Sequence, residues 1–204
     1  MHKKGIIAVI SGFSGAGKGT IVNRLVQDYG YAISISATTR QPREGEIDGK
    51  HYFFKSKENF ENMIKENELI EYAKYCDNYY GTPKDYVFEQ INNGIDVLLE
   101  IEMQGALQVK KDFPDVSLIF ITPPSARELR KRLEGRGTET AEVIEKRLAR
   151  AVEECVYMPE YDYIMVNDDL DICVKEIHQL LQSLHFSVKN QVDLIEEITA
   201  DFNK

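Results

Sequence analysis

The sequence predicts an α/β fold, a parallel sheet flanked by helices, on three observations. Short apolar runs alternate with stretches of helical spacing along the chain, the pattern of successive β-α-β units. The first run, residues 6–11, is almost wholly apolar and leads into glycine-rich sequence, as a strand buried on both faces does. The length of 204 residues suffices for one sizeable core without disulfides or structural metals.

Each element follows in order. Residues 20–29 show helical spacing at Ile21, Leu25 and Val26. Residues 96–102, 117–121 and 162–166 are further buried-strand candidates, each beside a helical stretch. Between about 36 and 94 the texture changes: aromatics cluster at Tyr52, Phe53, Phe54, Tyr72, Tyr75, Tyr79 and Tyr80. Short extended pieces surround one amphipathic helix near 57–66, with Ser56 as its N-cap. This reads as an inserted subdomain of mixed strands and helix. Its exit helix is signalled by Thr82 as N-cap, Pro83 at the first helical position and Asp85 in the first turn; Ser125 caps another helix. From Leu170 to the C-terminus there is neither Gly nor Pro. Ile177, Leu181, Leu184, Val188, Val192, Ile195, Ile198 and Phe202 recur there at three- and four-residue steps, one apolar stripe on helix. Packing on the body of the protein and a homodimer contact both suit such a stripe.

Composition excludes several function classes. The balance of 25 Lys+Arg against 34 Asp+Glu gives a net charge of −9, contrary to the basic surface of a sequence-independent nucleic-acid binder and to a polybasic membrane anchor. Cys76, Cys155 and Cys173 are few, odd in number and far apart, so small hydrophobes in a reducing cytosol are expected rather than a disulfide framework or zinc site. His2, His51, His178 and His185 form no metal-spaced pair. The apolar stretch after Lys3 and Lys4 is too short for an exporting segment. A cytoplasmic protein is expected.

The most specific signal is Gly12-Phe13-Ser14-Gly15-Ala16-Gly17-Lys18-Gly19-Thr20. It follows a buried strand and opens a helix, the setting of a phosphate-binding loop. Glycines let successive N–H groups face one point, the helix N-terminus adds partial positive charge, and Lys18 adds a full one. These suit the β- and γ-phosphates of a nucleoside triphosphate. The match to G-x-x-x-x-G-K-[ST] fails only at Gly19, where the hydroxyl that usually ligands Mg²⁺ is missing; Thr20 remains within reach of a phosphate. Neither a nucleophile elbow nor a dinucleotide fingerprint fits, because Ala16 and Thr20 stand where those patterns need glycine.

Six of the nine arginines lie between Arg127 and Arg150. Arg136, between Gly135 and Gly137, reads as a cation on a closing loop, of the kind that stabilises charge in phosphoryl transfer. Arg40 and Arg43 flank Pro42 on a non-helical segment, and two guanidinium groups there suit a second, acceptor phosphate.

With these residues in view the chain resembles the guanylate kinases, nucleoside monophosphate kinases of the P-loop superfamily that make GDP from GMP and ATP. The carriers are the phosphate loop, Ser36-Ala37-Thr38-Thr39-Arg40-Gln41-Pro42-Arg43, Asn78-Tyr79-Tyr80-Gly81-Thr82, Glu100-Ile101-Glu102-Met103-Gln104-Gly105, Arg132-Leu133-Glu134-Gly135-Arg136-Gly137-Thr138 and Val166-Asn167-Asp168-Asp169-Leu170-Asp171. The resemblance implies a core of 1–35, 91–125 and 151–185, a GMP-binding α+β subdomain of 36–90, a mobile lid of 126–150 and a helical extension of 186–204. It implies transfer of the γ-phosphoryl group of ATP to GMP, and to dGMP, with Mg²⁺ as cofactor and no nucleic-acid or membrane partner.

The resemblance also implies roles. Ser14, Gly15, Ala16, Gly17, Lys18, Gly19 and Thr20 hold ATP, with Asn167 and Asp168 on the adenine side. Arg40, Arg43, Tyr52 and Tyr80 hold the GMP phosphate; Ser36, Glu71, Thr82 and Glu102 read guanine. The chemistry agrees for Glu71, since guanine offers two adjacent donors to which an ionised carboxylate offers two acceptors. Arg43, Arg132, Arg136 and Arg147 join Lys18 in catalysis, and Glu100 lies near Mg²⁺, through a water. Phe13 stands where the family commonly has proline, Gly19 where it has serine, and Glu100 and Glu102 where many members have aspartates. A GTPase would need N-K-x-D, which is absent. A non-catalytic guanylate-kinase-like binding module and a kinase for another nucleoside monophosphate stay open as alternatives.

Overall fold

The computed structural model describes residues 4–43, 45–75, 77–135 and 140–203. Cys76, Arg136 and His2 lie outside the described residues. Strand β1 (Ile7–Gly12) is the buried run expected at the start, and α1 (Lys18–Tyr29) follows it, ending at left-handed Gly30, whose N–H donates to the Val26 carbonyl. Ile21, Val22 and Leu25 face the core, with Val26 partly buried against it. Three two-residue strands come next, β2 (Ala32–Ile33), β3 (Ala37–Thr38) and β4 (Phe53–Phe54).

Helix α2 (Lys57–Lys65) is capped by Ser56, whose hydroxyl accepts from the Asn59 N–H, as its sequence predicts. Strands β5 (Leu69–Tyr75) and β6 (Asn78–Pro83) form a hairpin that leads into α3 (Lys84–Asn92). Here the cap expectation is corrected by one residue. Pro83 is itself the extended N-cap, because it pairs with Leu69 in the hairpin ladder, and the Thr82 hydroxyl donates to Glu71 instead of capping.

The rest alternates: β7 (Val97–Glu100), α4 (Met103–Asp112), β8 (Ser117–Thr122), α5 (Ala126–Gly135), α6 (Ala141–Cys155), β9 (Tyr163–Val166), α7 (Leu170–Leu184) and α8 (Val192–Phe202). Ser125 caps α5 by accepting from the Glu128 N–H, and Thr140 and Asp169 cap α6 and α7.

Strands β2-β7-β1-β8-β9 form one sheet in that order, every pair parallel. Its middle strands read as continuous apolar runs because helices cover both faces. The main core lies around them and takes in Ile10, Leu25, Leu99, Ile119, Phe120 and Ile177. A second sheet, β4-β3-β6-β5, mixes parallel and antiparallel pairs over a small cluster of Ala37, Phe60 and Leu69, with Tyr79 stacked on Phe60.

The C-terminal stripe does not run on one helix. Ile177, Leu181 and Leu184 are buried on α7, but Val188 and Phe202 are 74% and 87% exposed, and Val192, Ile195 and Ile198 about half exposed. The break comes without Gly or Pro. Ser187 Oγ and Asn190 Nδ2 both donate to the Leu184 carbonyl at 2.8 Å, and Gln191 Nε2 to that of His185 at 2.6 Å, so side chains take over the carbonyls a continuing helix would use. His185 is held as well, its Nε2 2.9 Å from Asp96 Oδ2, while Asp96 Oδ1 accepts from the Ile6 N–H.

Ile177→Ala is expected to cost about 2–5 kcal/mol, whereas Ile195→Ala changes stability by about 0.5 kcal/mol or less. Urea unfolding measures both; an equal loss at the two sites would mean that α8 is packed in solution.

Candidate active site

The donor side is built at the end of β1. Gly12 has φ 140°, and a Cβ there would stand 2.1 Å from the Ile121 carbonyl oxygen; at Gly17, φ 94°, it would meet Asn167 Nδ2 at 2.5 Å. Only glycine fits at either place. Phe13 anchors the loop by packing edge-on against Phe120, ring centres 4.9 Å apart. Lys18 Nζ donates to the carbonyls of Gly12 at 2.7 Å and Phe13 at 3.1 Å, curling back over its own loop. Asn167, buried after β9, donates to the Ala16 carbonyl at 2.8 Å. Arg147 on α6 reaches across 133 residues of sequence to donate to Ser14 Oγ at 2.8 Å. Thr20 and Asp168 are exposed.

The acceptor side is a cavity of about 320 Å³ between the two sheets, lined by Ser36, Tyr52, Glu71, Tyr80, Glu100 and Glu102 among others. Glu71 is 5% exposed and accepts from the Thr82 hydroxyl at 2.8 Å. Burial pushes its carboxyl up to about 7, with Glu102 adding to the rise and the Thr82 bond opposing it. Gly105 leaves Glu71 its place: a Cβ there would come within 3.0 Å of Glu71 Oε2.

Arg40 stands at the rim with its guanidinium 5.4 Å from the Tyr52 ring centre and the Tyr80 hydroxyl beside it. Its Nη1 and Nη2 donate to the two oxygens of Glu46 at 2.9 and 2.8 Å, and the Arg43 N–H donates to the same carboxylate at 2.7 Å. This holds the Glu46 carboxyl down to about 2. The Arg43 side chain is exposed.

Glu100 borders both halves. It lines the acceptor cavity, lies in the field of Lys18, and its oxygens stand 3.6 and 3.8 Å from where a Cβ on Gly19 would be. Burial raises its carboxyl above the usual range, and Lys18 pulls the other way.

The structure thus brings Ser14, Lys18, Asn167, Arg147 and Glu100 to one edge, and Ser36, Arg40, Tyr52, Glu71, Tyr80, Thr82 and Glu102 to the other. Arg132 is directed elsewhere, with its Nε donating to Glu128 on its own helix at 3.0 Å. Arg136 lies outside the described residues. Two residues escaped the sequence reading. Glu46, three positions after Arg43, carried a legible signal: a carboxylate on the loop of the arginine pair. Arg150 did not; its Nε is 3.4 Å from Glu154 and its Nη2 4.0 Å from Glu102, a contact set by packing. Volume alone does not locate the site. A hollow of about 780 Å³ between α8 and the start of β1 is rimmed by the solvated pair Lys4 and Asp193, 3.3 Å apart.

The family model described as guanylate kinase matches residues 4–184. A guanylate kinase of Streptococcus thermophilus is 47% identical over 203 residues, covering 98% of this chain and 97% of that one. One of Caldanaerobacter subterraneus is 50% identical over 199 residues, covering 97% of each. The crystal structure of guanylate kinase from Anaplasma phagocytophilum superposes with a TM-score of 0.76 at 32% identity, covering 98% of this chain and 96% of that one.

Because burial raises Glu71 from 4.5 to about 7, the folded protein keeps a proton that the unfolded chain releases. The stability this group contributes is full below pH 4.5 and is lost as pH rises through 7, on the order of 3 kcal/mol in all. Urea midpoints of the nucleotide-free protein and Glu71→Gln across that window should show the variant gaining on the parent as pH rises; parallel curves would contradict the burial.

Proposed function

Since the chain belongs to the guanylate kinase family, we propose that it transfers the γ-phosphoryl group of ATP to GMP, and to dGMP, giving ADP and GDP. The observation that carries this reading is the position of Glu100, bordering both the phosphate loop and the carboxylate-lined cavity: donor and acceptor meet at one wall.

In this reading Ser14 to Thr20 wrap the ATP phosphates, with Asn167 and Asp168 on the adenine side. GMP enters the cavity with guanine N1–H and its exocyclic amine on ionised Glu71, beside Ser36, Thr82 and Glu102. Adenine would set a lone pair against that carboxylate. The GMP phosphate takes the free edge of Arg40, with Arg43, Tyr52 and Tyr80. Glu46 holds the other edge, so the guanidinium is oriented before the nucleotide arrives.

The acceptor oxygen is already anionic, so no strong general base is required. Lys18, Arg43, Arg132, Arg136 and Arg147 face the charge spread over the transferring group. Arg147 stands at the loop through Ser14, whereas Arg132 must leave Glu128 to take part. Residues 126–150 serve as a lid over a core of 1–35, 91–125 and 151–185, and 36–90 as the GMP-binding subdomain; closure excludes the water that would hydrolyse ATP.

Glu100 is the carboxylate suited to the Mg²⁺ that accompanies ATP. It is half-buried, its charge offset by Lys18, and it offers the hard oxygen ligand that cation prefers. Bound Mg²⁺ supplies neutralisation at the β- and γ-oxygens. The half-exposed Val192, Ile195 and Ile198 of α8 make that helix the face for a homodimer. No helix among the described residues is long and apolar enough to cross a membrane, and a cytoplasmic place suits the nucleotide substrates.

A coupled ADP-release assay with GMP, dGMP, AMP and UMP should show turnover with the guanine nucleotides alone. Preference for AMP would sink the guanine assignment, and silence with every acceptor would favour a binding module. Lys18→Ala is expected to lower kcat by about 10²–10³-fold or more while GMP still binds. Glu71→Ala should weaken GMP by about 10- to 100-fold and leave ATP affinity unchanged. Calorimetric titration of each nucleotide separates the two.

A further inference from the structure

Gly19 has no backbone reason to be glycine. Gly12, Gly15 and Gly17 all sit at positive φ, but Gly19 does not; it lies within α1, where glycine is among the poorest helix formers. Nor does main chain crowd it. Among the described residues beyond its own helix, a Cβ at this position would have only the two Glu100 oxygens within 4 Å, at 3.6 and 3.8 Å, an ordinary contact. What a hydroxyl-bearing side chain would compete with is the carboxylate itself, since its oxygen would project one bond beyond the Cβ. Position 19 is also where the loop pattern otherwise places the hydroxyl that ligands Mg²⁺.

We propose that Gly19 and Glu100 are a matched pair, in which the long carboxylate fills the space left by the missing hydroxyl side chain and takes over its hold on the divalent cation. The proposal rests on the kinase reading above, which sets Glu100 at the metal, and it adds why that carboxylate is a glutamate. An aspartate on β7 would end one bond short of the loop and leave the space over Gly19 empty. A serine at 19 beside the existing glutamate would put hydroxyl and carboxylate in one place, bonded to each other. Either the short acid with the hydroxyl or the long acid with glycine fills the corner once. The partial burial of Glu100 beside Lys18 agrees, because a carboxylate drawn partly out of water gains from a second cation.

The probe is Mn²⁺ binding to the ADP-loaded protein, followed by electron paramagnetic resonance, with thermal unfolding to check that each variant folds. E100D is expected to weaken Mn²⁺ by about 10-fold or more, in the range of ligand-shell losses. G19S alone should bring no gain, and G19S/E100D should recover to within about 3-fold of the parent, a coupling far from additive. E100Q keeps the length and removes the charge, so G19S should not rescue it. If E100D binds Mn²⁺ like the parent, the assignment of Glu100 to the metal fails and the pairing with it. If E100D is weak and the double variant matches the product of the single effects, the pairing alone fails.

Discussion

The approach of Gly12 to the Ile121 carbonyl governs the rest of the site. Strand β1 pairs with β8 up to that residue, and the missing side chain lets the backbone turn off the sheet at once. Four neighbouring strands then deliver their ends to one place. Strand β7 brings Glu100, β1 the phosphate loop, β8 the carbonyl that forbids a Cβ at Gly12, and β9 the Asn167 that grips Ala16. All run parallel, so all carboxyl ends open on the same edge, where α/β sheets bind ligands. A loop of this kind is held by its neighbours more than by itself.

The cations around the loop and the cavity are supported by internal acceptors. Lys18 donates to its own loop's carbonyls, Arg40 to Glu46, Arg147 to Ser14, and Arg150 stands between Glu102 and Glu154. Neutral carbonyls and a hydroxyl are weaker partners for a full charge than an anionic oxygen is. Glu46 differs. It is itself charged and grips Arg40 by two bonds, which makes it a fixed support for the guanidinium rather than a stand-in for substrate. Two inward-facing carboxylates answer from the other side. Glu71 and Glu100 are kept in low-dielectric surroundings that favour their neutral forms, and each gains from a ligand that brings donors or positive charge.

The phosphate loop, the parallel sheet and the helix caps at Ser56 and Ser125 were legible because each is a local pattern. Apolar runs, glycines that need positive φ, and a hydroxyl before a helix act within a few residues. The cavity residues were legible through their order and kind: Ser36, Tyr52, Glu71, Tyr80 and Glu102 line one 320 Å³ space as the motifs led one to expect. The stripe at the C-terminus misled for the opposite reason. Periodicity reports which residues share a face, not whether anything covers it, and side-chain donation to the carbonyls of Leu184 and His185 ended α7 where no Gly or Pro marked a stop.

By itself, then, the sequence determined the fold class, the glycine-rich loop and the kinds of side chain that line the cavity, since these depend on backbone geometry and functional-group chemistry written into short motifs. Tertiary structure alone decided that Arg147 reaches Ser14, that Pro83 and not Thr82 caps α3, and that the Glu100 carboxylate stands over Gly19. Those outcomes turn on distances of a few ångströms between segments up to 133 residues apart. Such distances are set by how helices seat on a twisted sheet, and no spacing along the chain encodes them.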